Sequence, residues 1–155
     1  MKKKQKEAAM TSEKIYEYDL DITGVTDYGV GMDSILAGKE KIPAQGARFD
    51  VAFAGHATGR LAGAVRGVDY LRMRADGRID LDIRATIETA DGHRIALGAD
   101  SVAALRPGEP VAELSENVTL ATAAAGYGWI NTHQIWGVGT VNLATGKIHI
   151  DGYMQ

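Results

Sequence analysis

The sequence predicts an all-β fold, a single antiparallel β-barrel of about nine or ten strands with little helix. Three observations carry this. Apolar and polar residues alternate with a period of two along most of the chain, which is the spacing of a half-buried strand. The 155 residues include 19 Gly but only 3 Pro, so turn chemistry recurs at short intervals between the alternating runs. An open meander of that many strands would also leave two exposed edges, and closure removes them.

The elements follow in order. Residues 1–13 (MKKKQKEAAMTSE) are Lys-rich and do not alternate, so they read as a disordered leader ahead of one barrel domain over 14–155. Tyr16, Tyr18, Leu20 and Ile22 then share a face opposite Glu17, Asp19 and Asp21, giving the first strand. Thr23 to Gly46 is a long Gly-rich connection, a candidate lid, with one helical turn at Met32 to Leu36. Strands are expected at Arg48 to His56, Arg60 to Val68 and Asp69 to Arg74, ending at the tight turn Asp76-Gly77. Ile79 to Thr89 alternates most clearly. Its Ile79, Leu81, Ile83, Ala85 and Ile87 oppose Asp80, Asp82, Arg84, Thr86 and Glu88. After the turn at Ala90-Asp91-Gly92, His93 to Leu97 returns, and Ala99 to Glu113 reads as a loop with a helical turn at Ser101 to Leu105. The last strands are expected in Asn117 to Ala123, Gly126 to Gly137, Thr140 to Leu143 and Lys147 to Tyr153.

Composition excludes several chemistries. With 0 Cys there is no disulfide, thiolate nucleophile or Cys-ligated metal. A net charge of −3 offers no footprint for nucleic acid. No run approaches the roughly 18 apolar residues of a membrane helix, and no apolar stretch follows the N-terminal lysines, so a cytoplasmic protein is expected. His56, His93, His133 and His149 lack ligand spacing, so no metal and no cofactor are expected. Neither Gly24 to Gly31 nor Gly55 to Gly63 opens a helix after a strand, so neither is a nucleotide loop.

Two polar faces remain. Asp82 and Arg84 share one side of their strand, where Arg84 would hold a carboxylate substrate and Asp82 would orient it. Alternation by itself also allows them to be a solvated ion pair with the aliphatic face as core. Tyr127, Trp129, Asn131 and His133 share a face if their segment is a strand, and would form a wall for an aromatic or hydroxylated ligand. The candidate catalytic set is Asp82, Arg84, Tyr127 and His133; the candidate substrate-binding set is Trp129, Asn131, His56 and Asp69.

The segments Val68-Asp-Tyr-Leu-Arg-Met-Arg-Ala-Asp-Gly, Leu81-Asp-Ile-Arg-Ala and Tyr127-Gly-Trp-Ile-Asn, with Trp136-Gly-Val-Gly and Tyr153, resemble the DUF3237 family of small bacterial proteins over about residues 47–155. Ala85 departs from the Tyr usual there, and Thr132 and His133 from the basic residues common after Asn131. The resemblance implies a lipocalin-like barrel with an internal cavity, often dimeric and without a bound cofactor. It further implies cofactor-free lyase or decarboxylase chemistry on aromatic, lignin-type compounds, and it turns Asp82 and Arg84 toward the cavity. The aliphatics of that strand would then face outward and need cover, an argument for a homodimer. Two readings follow: a cofactor-independent lyase or isomerase acting on a small aromatic carboxylate, or a non-catalytic carrier of a small apolar ligand. A cavity with two ionisable groups within reach of a common point would separate the first from the second.

Overall fold

The computed structural model describes residues 12–155. The leader expected over residues 1–13 lies outside them except at its last two residues, and β1 begins at Glu13. Eight strands close into one antiparallel barrel: β1 (Glu13–Asp27), β2 (Ala47–Gly59), β3 (Gly63–Met73), β4 (Ile79–Thr89), β5 (Arg94–Leu105), β6 (Val111–Ala121), β7 (Ile135–Asn142) and β8 (Lys147–Met154). Every strand pairs with its sequence neighbours, and β1 also pairs with β8 to complete the ring. A short helix α1 (Met32–Leu36) lies in the long connection after β1, and a 3-10 helix (Ala125–Ile130) precedes β7. No helix among the described residues is long and apolar enough to cross a membrane.

The strand count is eight because two sequence expectations merge or shift. Residues 60–62 form the turn, and the two strands expected over residues 60–68 and 69–74 are the single strand β3. The loop expected at residues 99–113 is mostly strand, since Ala99, Ser101 and Ala103 are small residues facing inward along β5. Small side chains weaken the apolar alternation there, so the segment reads as a loop until its partner strands are known. The stretch at residues 126–137 divides into the 3-10 helix and the start of β7.

The two ends of the barrel differ. At the end where β2 turns into β3, Ile15, Leu61, Ile87, Ile95, Ile130 and Ile135 are fully buried and plug the interior. A bulge between Lys14 and Tyr16 in the β1–β8 ladder lets Ile15 and Tyr16, consecutive residues, both point inside. The other end carries α1 and has no such plug.

An eight-stranded barrel has an interior just wide enough for side chains to fill, so large residues must meet small ones across the ladder. One row shows this: Ser101, Glu116, Gly137, Gly152 and Tyr16 are successive partners across β5, β6, β7, β8 and β1. The Tyr16 ring lies where a Cβ on Gly152 would be, and the Glu116 Oε1 is 2.7 Å from the Cβ position of Gly137. Gly152→Ala should therefore destabilise the barrel by about 1–3 kcal/mol through overpacking. Gly24→Ala, with no atom within 4 Å of its Cβ position, is the control, read by urea unfolding.

Candidate functional site

The interior toward α1 holds a cavity of about 60 Å³. Its walls are supplied by the inward face of every strand, with Met32 of α1 and Leu143 of the β7–β8 turn at the mouth. Apart from Tyr18, Asp69 and Glu116, every lining residue is aliphatic, Met or Phe. Among the described residues, no Lys, Arg or His lines it. That volume holds a few waters and is smaller than the roughly 150 Å³ of an apolar cavity that admits benzene.

Three polar groups thus sit in an aliphatic chamber. Tyr18 projects from β1 and stacks on Tyr16 with ring centroids 5.2 Å apart and planes at 8°. Glu116, only 2% exposed, projects from β6, and its Oε1 has no hydrogen-bond partner. Asp69 projects from β3, where the ladder to β4 is interrupted between Asp69↔Ile83 and Arg72↔Asp80. There the Asp82 backbone N–H donates to the Asp69 carboxyl, while Asp69 Oδ1 is buried without a partner. This is a side chain competing with the sheet for a backbone donor.

Burial sets the electrostatics. Loss of water pushes the Asp69 carboxyl up to about 7, with the Asp82 N–H pulling the other way. Burial also raises Glu116 to about 7, helped by the negative charge of Asp69 and opposed by the Tyr18 hydroxyl. The Tyr16 and Tyr18 phenols are driven upward, first by burial and then by Glu116. Burial thus moves both carboxyls toward neutrality in one chamber, and the charge of Asp69 couples the Glu116 titration to its own.

The family model described as a protein of unknown function, DUF3237, matches residues 34–154. The chain belongs to the DUF3237 family. No curated protein matches it in sequence. Its barrel is similar to a solved protein of unknown function from Clostridium acetobutylicum, with TM-score 0.76, 17% identity, and 94% and 99% of the two chains covered. A β-barrel-like protein from Acinetobacter baumannii superposes with TM-score 0.70 at 17% identity, covering 93% and 94%. A protein from Penicillium herquei described as an enzyme gives TM-score 0.63 at 20% identity, covering 94% of each chain.

In this DUF3237 barrel the residues singled out by sequence separate. Asp82 and Arg84 do not face the cavity: they form an outer-surface pair at 3.7 Å, with the Arg84 side chain 75% exposed. The reason is parity. Leu81, Ile83 and Ile87 are buried, so their alternates must point to solvent. The aliphatic face of β4 is covered by the barrel itself, so its burial needs no second subunit.

Tyr127, Trp129, Asn131 and His133 do not share a strand face, because the segment winds into the 3-10 helix and its following turn. They latch the closed end. The Tyr127 hydroxyl donates to Asp91 Oδ1 at 2.7 Å, and Asn131 bonds both the N–H and the C=O of Thr122 at 2.8 Å. Arg60 lies 3.8 Å above the Trp129 ring, and His133 Nδ1 is 2.7 Å from the Trp129 carbonyl. His56 is exposed on the outer face. Of the eight candidates only Asp69 lines the cavity. Glu116 and Tyr18 were missed, although the lone acid at an inward position of Val111 to Ala121 was a readable signal.

A second carboxylate cluster lies outside, where Glu17, His149 and Asp151 approach one another on β1 and β8. Lys14 already pairs with Glu17 at 2.8 Å and Asp151 at 3.3 Å, and His149 Nδ1 is 2.7 Å from Asp19. Asp19 raises the His149 pKa.

Two outcomes follow. Asp69 and Glu116 ordinarily titrate at 3.8 and 4.5, and both rise to about 7, so the folded protein keeps protons that the unfolded chain has released. Stability from this source is full below about pH 4 and is lost as pH rises through about 7. The Asp69→Asn/Glu116→Gln protein should lose this decline, an effect on the order of a few kcal/mol in urea unfolding across that range. Arg84→Ala should shift stability by no more than about 0.5 kcal/mol in the same assay.

Proposed function

We propose that the barrel is a cofactor-independent enzyme that moves a proton on a small ligand held in its cavity, an isomerase or a lyase of the elimination type. One observation carries this reading: Asp69 and Glu116 line the same aliphatic chamber, each with a buried oxygen that has no hydrogen-bond partner, and burial raises both carboxyls toward neutrality. The ionised member accepts a proton from the ligand and the protonated member returns one elsewhere on it. Isomerisation follows if the proton lands on carbon, and elimination if it lands on a departing oxygen. The proton then passes between the carboxyls and the pair is reset. Matching pKa to working pH is the arrangement general acid–base catalysis needs.

A carrier of apolar molecules would require only the aliphatic walls. For it, two buried carboxyls with unpartnered oxygens would cost stability and contribute nothing to packing. Decarboxylation receives less support than proton transfer, because it needs a carboxylate in the chamber and none of the lining residues is a cation.

The reading is tested on the pair itself. In a carboxyl-resolved NMR titration, Asp69 and Glu116 should titrate in two coupled steps, the upper one near 7. Two ordinary carboxylate values would overturn it. In heavy water the protein should catalyse deuterium incorporation into small carbon acids, and Asp69→Asn and Glu116→Gln should each slow this by about 10²–10⁴-fold. Exchange that both variants sustain at the wild-type rate would count equally against it.

A further inference from the structure

The three polar groups of the chamber also define which charge of ligand it accepts. We propose that the substrate is an uncharged carbonyl compound bearing a hydrogen on the adjacent carbon, with Tyr18 and Glu116 binding its oxygen and Asp69 removing that hydrogen. This rests on the acid–base reading of the same pair.

The Tyr18 phenol is held far above its usual titration range by burial, so it is a donor throughout the physiological range. Its neighbour Glu116, when protonated, is a second O–H donor. The Tyr18 O–H donates to the Glu116 carboxyl, and a ligand oxygen placed between them takes over that bond and accepts from both the phenol and the carboxylic acid, more strongly as it gains negative charge. Asp69 comes from β3 and Glu116 from β6, and its backbone partner Asp82 stabilises the ionised form, which a base must adopt.

In the step itself Asp69 takes the proton from carbon and the C–H electron pair forms a carbon–carbon double bond. The carbonyl π pair moves onto oxygen, where Tyr18 and Glu116 hold it. In a ligand that also carries a β,γ double bond, return of the proton from the carboxyl pair to the γ-carbon, with the double bond shifting to the α,β position, completes the isomerisation, and no oxidant or reductant is consumed.

Anions are excluded by the same set. A ligand carboxylate would bring a further negative charge into a low-dielectric space containing two acids and no Lys, Arg or His. This revises the aromatic carboxylate expected from Arg84, which lies outside the barrel. An ammonium ligand is the competing possibility, since it would pair with the ionised acid. It would also leave the Tyr18 and Glu116 donors without an acceptor.

Three probes of matched size and differing charge decide it: 2-butanone, propionate and 2-butylammonium, each titrated into the labelled full-length protein at neutral pH and followed by amide and methyl NMR shifts. The ketone should shift residues around Tyr18, Asp69 and Glu116, and propionate should bind at least about a hundredfold more weakly. In the Asp69→Asn/Glu116→Gln protein the preference against propionate should largely disappear. Equal binding of propionate, tighter binding of the ammonium, or binding of none of the three would overturn the substrate class. None of these results alters the carboxyl titration, so a failure here is distinguishable from a failure of the acid–base pair. If the ketone binds, Tyr18→Phe should weaken it and slow deuterium exchange at its α-carbon, whereas unchanged exchange would remove Tyr18 from the site.

Discussion

Closing eight strands into a ring encloses a volume that only side chains can fill, and the rest of this molecule follows from how that volume is shared out. β1 bridges β2 and β8 and so makes the closure, and it also sends Tyr16 and Tyr18 into the centre. The Tyr16 ring leaves no room for a side chain at its partner on β8. Gly152 accommodates that ring and Gly137 accommodates the Glu116 carboxyl, so in one layer of the barrel each large side chain lies beside a glycine.

That arrangement divides the interior in two. Below the tyrosines, fully buried isoleucines and Leu61 close one end, and the latch of Tyr127, Asn131 and Trp129 holds the 3-10 helix across it. Above them the walls stay aliphatic but the volume is not completely used, and the cavity remains. The polar groups sit at the boundary. A carboxyl at the rim would be hydrated and ordinary; at this depth Asp69 and Glu116 lose water, and the charge of Asp69 makes ionisation of Glu116 harder. The same burial that lowers stability at neutral pH supplies an acid and a base to one small space.

The balance between order and access also has a structural origin. Strand pairing runs around the ring, and the short break in the β3–β4 ladder is bridged by the Asp69 carboxyl, so access comes at the ends. The α1 end has the longest connection, residues 28–46, and its helix is short, contributes no buried residue and has no side-chain cap at its start. Met32 still reaches the cavity from it. A segment with no buried residue is held less firmly than the strands, which suits an entrance to the chamber.

Much of this was readable from alternation, because period-two patterning reports directly that one face of a strand is buried. The all-β class, the closed barrel, the turns at Gly77, Gly92 and Gly146, and α1 at Met32 to Leu36 all follow from local pattern. The aliphatic face of Ile79 to Thr89 also marked its own inside, and reading Asp82 and Arg84 as cavity residues ran against it. Sequence determined which faces are apolar and where the chain turns, since both depend on neighbours along the chain. Tertiary structure alone decided that the Tyr127 segment winds into a 3-10 helix, and that Tyr18, Asp69 and Glu116 meet. Those three come from β1, β3 and β6, and only the ring closure that sets barrel depth and register brings their side chains into one dry space.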